Sequence, residues 1–126
     1  MTRARGTLTS TADPATDEVA ALVHDPARAL LTSTYVFDEL VTLVQARLGL
    51  DKAVQAGRVL RKADGVAIER ITQADETSAW FLFQDRVDKT YSFTDCTSFV
   101  LMQRLGVDAA LATDEHFHQE GFRVYP

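Results

Sequence analysis

Short apolar runs separated by stretches of helical periodicity are the strongest constraint in this sequence. Ala29–Thr32, Val66–Ile71 and Ala109–Thr113 are each long enough for a buried strand and too short for a helix. One or more amphipathic segments lie between each run and the next. Strands joined through helices cannot close as hairpins, so the chain crosses over and returns parallel. The pattern predicts an α/β fold of three layers, a central mostly parallel sheet flanked by helices. In such sheets the working site lies beyond the carboxyl ends of the strands.

The helices have readable ends. Ser33 or Thr34 starts a helix over Tyr35–Leu48, and Gly49 stops it. Val36, Phe37, Leu40, Val41, Leu43, Val44 and Leu48 share one arc of this helix, with Asp38, Thr42 and Gln45 opposite. Glu39 falls on the border of the apolar arc. A second amphipathic helix spans Asp51–Ala63 and ends in Arg58, Arg61 and Lys62. Thr72 followed by Asp75 is a capping-box start for a helix running through Trp80–Phe83 to Arg86. Val87–Ser92 reads as a polar loop. The helix over Asp95–Leu105 is apolar on every side at Phe99–Met102, which predicts cover on more than one face. Arg123–Tyr125 reads as a last strand. Residues 1–15 read as a polar N-terminal arm with a weak strand at Gly6–Thr11, and 16–126 as the domain. Thr16 is placed to cap a helix over Asp17–Val23, which Asp25-Pro26 ends.

Charge narrows the function classes. The 126 residues carry 13 basic and 18 acidic side chains, a net of −5. That excludes a strongly basic nucleic-acid wrapper, so contact with phosphates requires metal ions or a local basic rim. Cys96 is the only cysteine and cannot form an internal disulfide, which fits a reducing compartment. No apolar run reaches the roughly 20 residues of a membrane span. No signal peptide is read at the N-terminus. A cytoplasmic protein without membrane contact is expected.

Three acids stand out by position. Glu39 borders an apolar helix face, Asp95 opens the most apolar helix, and Asp114 follows a short buried strand. Each has an ordinary reading: an edge residue with its stem on the core, a helix N-terminal charge, and a cap for the turn Glu115–Gln119. Brought to one end of a sheet, the three would repel one another without a cation. Hard oxygen ligands select Mg²⁺ or Mn²⁺, which activates water and offsets charge at a phosphodiester.

Other residues are read more plainly. His116 and His118, with Glu115 and Glu120, are either a transition-metal site or exposed turn residues, and the second fits better. Cys96 reads as a small buried apolar residue rather than a nucleophile. Trp80, Phe81 and Phe83 are either an aromatic platform for bases or, given their helix, core or dimer packing. Arg47 is read as pairing with the helix end or reaching a phosphate or carboxylate. Arg58, Arg61 and Lys62 form a basic rim for RNA or a solvated face.

Three blocks carry a family resemblance. TSTYVFDELVTL over 32–43, followed by Arg47-Leu48-Gly49, resembles the second-acid helix of PIN-domain proteins. YSFTDCTSF over 91–99 resembles the segment carrying their third acid. LATDEHF over 111–117, with Gly121-Phe122, resembles their fourth-acid strand and closure. The blocks follow in family order across residues 29–126, and the VapC-type toxins of toxin–antitoxin pairs are the most similar branch. The resemblance implies an Mg²⁺-dependent endoribonuclease, homodimeric and silenced by a cognate antitoxin. It implies Glu39, Asp95 and Asp114 as catalytic, metal-site acids, with Thr94 orienting them; Asp38 belongs to the same motif but lies on the polar face. The family's opening strand and first acid have no counterpart: residues 1–12 contain no acid and no apolar run. Three explanations stay open. The assigned start lies too far downstream, the chain is a catalytically impaired relative that binds a protein partner, or Gly6–Thr11 replaces the strand.

Overall fold

The computed structural model describes residues 22–25, 29–63, 65–111 and 115–125. Strand β1 is Leu22–Asp25 and β2 is Ala29–Ser33. Helices α1 (Thr34–Leu48) and α2 (Leu50–Lys62) follow, then β3 (Val66–Glu69). Helices α3 (Gln73–Asp85) and α4 (Phe93–Leu105) precede β4 (Ala109–Leu111). A short helix α5 (His116–Gln119) leads into β5 (Arg123–Tyr125).

The five strands form one sheet in the order β3-β2-β1-β4-β5. The pairs β2–β3 and β4–β5 are parallel. The middle strand runs against both neighbours, pairing Val23 with Leu31 on one side and Ala110 on the other. Four strands therefore share a direction, as the alternation predicts, and β1 is inserted against them. The reversal has a simple cause. Only three residues separate β1 from β2, and a connection of that length permits antiparallel pairing alone.

Leu22 and Val23 belong to this strand and not to the end of a helix. The Thr16 cap suggested a helix over Asp17–Val23, but β2 and β4 both present backbone groups that need a partner. The rest of that helix, residues 1–15 and the weak strand at Gly6–Thr11 lie outside the described residues.

Helices cover both faces. On one side α3, α4 and α5 pack Ala79, Cys96, Phe99, Met102 and Phe117 around Leu31 and Ala110. On the other, α1 and α2 pack Leu40, Val44, Ala53 and Leu60. The strand β3 shows the division: Ala67 meets the first cluster, Val66 and Ile68 the second. The expected double cover of α4 is realised, with Phe99, Leu101 and Met102 all buried.

Local chemistry explains the helix ends. Ser33 Oγ accepts the Val36 amide at 3.1 Å and caps α1. Gly49 takes φ 95°, ψ 172°, so the chain leaves α1 and enters α2 through one residue. Capping boxes open α3 and α4. The second places the start of α4 earlier than expected, and Asp95 is its third residue.

Candidate active site

The site lies where α1 and α4 begin, beside the carboxyl ends of β2 and its parallel neighbours. Helix α1 follows β2 directly, so its first turns rise from that edge of the sheet. Glu39 is half-buried on the side of α1 that packs against α4. Tyr35, Asp38, Glu39, Thr42, Leu43 and Ala46 of α1 and Thr94 of α4 line an open cleft of about 330 Å³.

Two acids and a hydroxyl meet here. The Thr94 side chain hydrogen-bonds Glu39, and the Asp95 carboxylate is near enough to act on it. Burial pushes the Glu39 carboxyl above its ordinary value, Thr94 opposes that, and Asp95 and Asp38 add to it. Glu39 thus carries its charge at a cost that a bound cation would offset.

Asp95 is held from two directions. Its Oδ2 accepts the Ser92 amide at 3.0 Å and His116 Nδ1–H at 2.7 Å. His116 Nε2 lies 3.2 Å from the Thr90 hydroxyl, and the ring meets Tyr91 edge-on at 5.4 Å. Sequence reading placed His116 among exposed turn residues. It is instead half-buried on α5, because the chain after β4 folds back over α4. Only its place in the block that carries Asp114 hinted at this role. His118 is exposed, and Glu120 is bound elsewhere, by Arg86 at 2.7 Å and the Tyr91 hydroxyl at 2.9 Å. Among the described residues no three His, Cys, Asp or Glu side chains form a metal cluster.

Asp114 lies outside the described residues. The backbone shows where its neighbours run: β4 ends at Leu111, on the same edge as the end of β2, and α5 begins at His116 beside Asp95. The described residues of the middle strand, Leu22–Asp25, add no acid there. Leu22 sits at that edge, paired with Leu111, whereas Asp25 pairs with Ala29 at the opposite edge. Glu39, Asp95 and the Thr94 hydroxyl are hard oxygen donors of the kind Mg²⁺ takes, so they fit part of such a site.

None of Arg47, Arg58, Arg61 and Lys62 lines the cleft. Arg58 and Arg61 line a separate groove between α1 and α2, with Phe37, Val41 and Gly57, and Arg61 stacks 4.6 Å over the Phe37 ring. Lys62 and Arg47 are exposed. Cys96 is buried and its thiol is pushed up to about 11 by burial, so it carries no nucleophilic role. Trp80, Phe81 and Phe83 are not core residues; they are 51%, 64% and 39% exposed. The inner ridge of α3 is taken by Asp75, Ala79 and Leu82, which leaves these aromatics outside.

Comparison with known proteins places the chain in a family. The family model described as PIN domain matches residues 8–122. The chain is 34% identical to the 23S rRNA-specific endonuclease VapC20 of Mycobacterium tuberculosis over 93 residues, 74% of this chain and 70% of that protein, in two strains. It also resembles the crystal structure of Mycobacterium tuberculosis VapC20, described as a Sarcin-Ricin loop cleaving toxin. The TM-score is 0.68 at 36% identity, over 73% of this chain and 70% of that one.

Proposed function

This chain belongs to the PIN-domain family, and on that premise we propose that it is a metal-dependent endoribonuclease, the toxin of a toxin–antitoxin pair. Its substrate is RNA, with ribosomal RNA the first class to test given the relative it resembles. Its partners are a cognate antitoxin protein and a second copy of the chain. The observation that carries the reading is the meeting of Glu39 and Thr94 at one cleft, from helices distant in sequence, with the Asp95 carboxylate near enough to act on Glu39.

In this reading Glu39, Asp95 and Asp114 hold Mg²⁺ or Mn²⁺. The bound ion supplies a Lewis acid that activates water and offsets charge on the scissile phosphate. Thr94 orients Glu39 through its hydroxyl. Ser92 and His116 fix the Asp95 carboxylate, so one oxygen stays anchored to the helix start.

The test is cleavage of RNA with and without Mg²⁺, for wild type and Asp95→Asn. Loss of about a hundredfold or more in the variant is expected. Equal cleavage by the two proteins would remove Asp95 from the site. A second reading has one observation in its favour: among the described residues of the middle strand, Leu22, and no acid, lies at the edge where β2 and β4 end. On that reading the chain is catalytically impaired and serves as a protein-binding module. Calorimetry separates the two: heat of binding at millimolar Mg²⁺ supports the nuclease, and none supports the binding module.

A further inference from the structure

An aromatic array leads out of the cleft. Tyr35 lines the cleft, and its ring lies 6.2 Å from Phe93, the residue before Thr94. Phe93 meets Phe83 at 6.0 Å and 87°, and Trp80 at 6.4 Å and 67°. Trp80 and Phe83 lie nearly parallel to each other, 27° apart, at 6.0 Å. Phe93 and Tyr35 are half-buried and fix the array, whereas Trp80 and Phe83 present ring surface to solvent.

The placement follows from helix geometry. Glu76, Trp80 and Phe83 fall on one ridge of α3, beside the inner ridge of Asp75, Ala79 and Leu82. The Tyr35 hydroxyl donates to Glu76, which ties this ridge to α1. Phe81 points away, into a separate groove with Ser78 and Asp85.

We propose that Trp80, Phe83, Phe93 and Tyr35 form a stacking platform for unpaired RNA bases, next to the Glu39 cleft. The proposal rests on the nuclease reading and names the feature of the substrate it selects: bases outside a duplex. One observation favours RNA over other occupants. The array is continuous with the cleft through Tyr35, so a strand whose phosphate lies there has its neighbouring bases at the rings. The surroundings are acidic, with Asp38, Glu39 and Glu76 nearby, which limits how a strand could be held here. Such a surface cannot hold RNA by phosphate attraction, whereas stacking needs no positive charge and works on any base.

Trp80 is the only tryptophan in the chain, so tryptophan emission, excited selectively over the three tyrosines, reports this surface alone. The protein is titrated, without divalent cation, with a short single-stranded RNA, the same strand carrying abasic sites, and the same strand in a duplex. Quenching of Trp80 by the single strand is expected, with about tenfold weaker binding of the abasic strand. Phe83→Leu, which keeps an apolar side chain, is expected to weaken binding of the intact strand similarly while leaving affinity for the abasic strand unchanged. Equal affinity for intact and abasic strands, or no quenching, overturns the platform. A Trp80 signal that follows protein concentration without RNA also overturns it, in favour of a second copy of the chain. Glu39→Gln keeps the two readings apart. Lost cleavage with retained quenching supports both. Lost cleavage in this variant with no quenching in either protein overturns the platform alone. Unchanged cleavage with quenching overturns the role of Glu39 and leaves the platform in place.

Discussion

Helices α3 and α4 begin with the same device and end in opposite electrostatic company. In α3 the Thr72 hydroxyl accepts the Asp75 amide at 3.1 Å, and Asp75 accepts the Thr72 amide at 3.0 Å. In α4 Ser92 and Asp95 do the same, both at 3.0 Å. Asp75 is buried and then meets Arg104 through two hydrogen bonds of 2.9 and 2.8 Å. Burial alone would raise its carboxyl, but Arg104 and Thr72 together hold it below the ordinary value. Asp95 meets His116 and faces Glu39, a second acid whose own carboxyl is pushed up. One region pairs its buried acid with a guanidinium, and the other sets two carboxylates near each other. A capping box therefore says where a helix begins, and the partner across space says whether its acid is available for chemistry.

The contrast can be broken most strongly at Arg104. Arg104→Ala leaves the Asp75 carboxylate buried without its guanidinium. A loss of about 2–3 kcal/mol in urea unfolding is expected, below the range for a fully buried pair because Arg104 is 40% exposed. An unchanged urea midpoint would mean that Thr72 alone satisfies Asp75.

Acid titration sharpens the comparison with a smaller effect. Asp75 has a folded value below its ordinary 3.8, so its contribution is present above that pH and lost as pH falls through the folded value. Glu39 has the opposite sign. Its folded value lies above the ordinary 4.5, so its ionised form opposes folding, and that cost sets in as pH rises through the folded value. Asp75→Asn is expected to flatten the fall in thermal stability below about pH 4. An acid limb identical to wild type would move the acid-sensitive group elsewhere.

The smallest effect is a gain. At neutral pH and without divalent cation, Glu39→Gln is expected to raise Tm by about 2–4 °C, since it removes a charge held at a cost. A lower Tm would mean that the carboxylate's bond with Thr94 outweighs its burial and its repulsion by Asp95.

Legibility differed from residue to residue. Ser33, Gly49 and the Thr72–Asp75 pair marked helix ends because caps act within a few residues of chain. Glu39 was readable as a border residue because helix periodicity alone places it there. The middle strand was not readable. Leu22 and Val23 carry no signal for a partner that arrives as β4, nearly ninety positions later in the chain. The His116–Asp95 bond was hidden for the same reason. Trp80 and Phe83 were read as core or dimer packing, and the core half of that reading fails, because apolar composition does not say which ridge of a helix is already taken.

The sequence by itself determined the alternation of strands and helices, the caps, the acids in family order and the family they belong to. These depend on local backbone chemistry and periodicity. Only the tertiary structure decided that β1 runs against its neighbours, that Asp75 is neutralised while Asp95 faces Glu39, and that an aromatic ridge borders the cleft. Those outcomes depend on long-range pairing, where the energy of a side chain is set by whatever the fold places beside it.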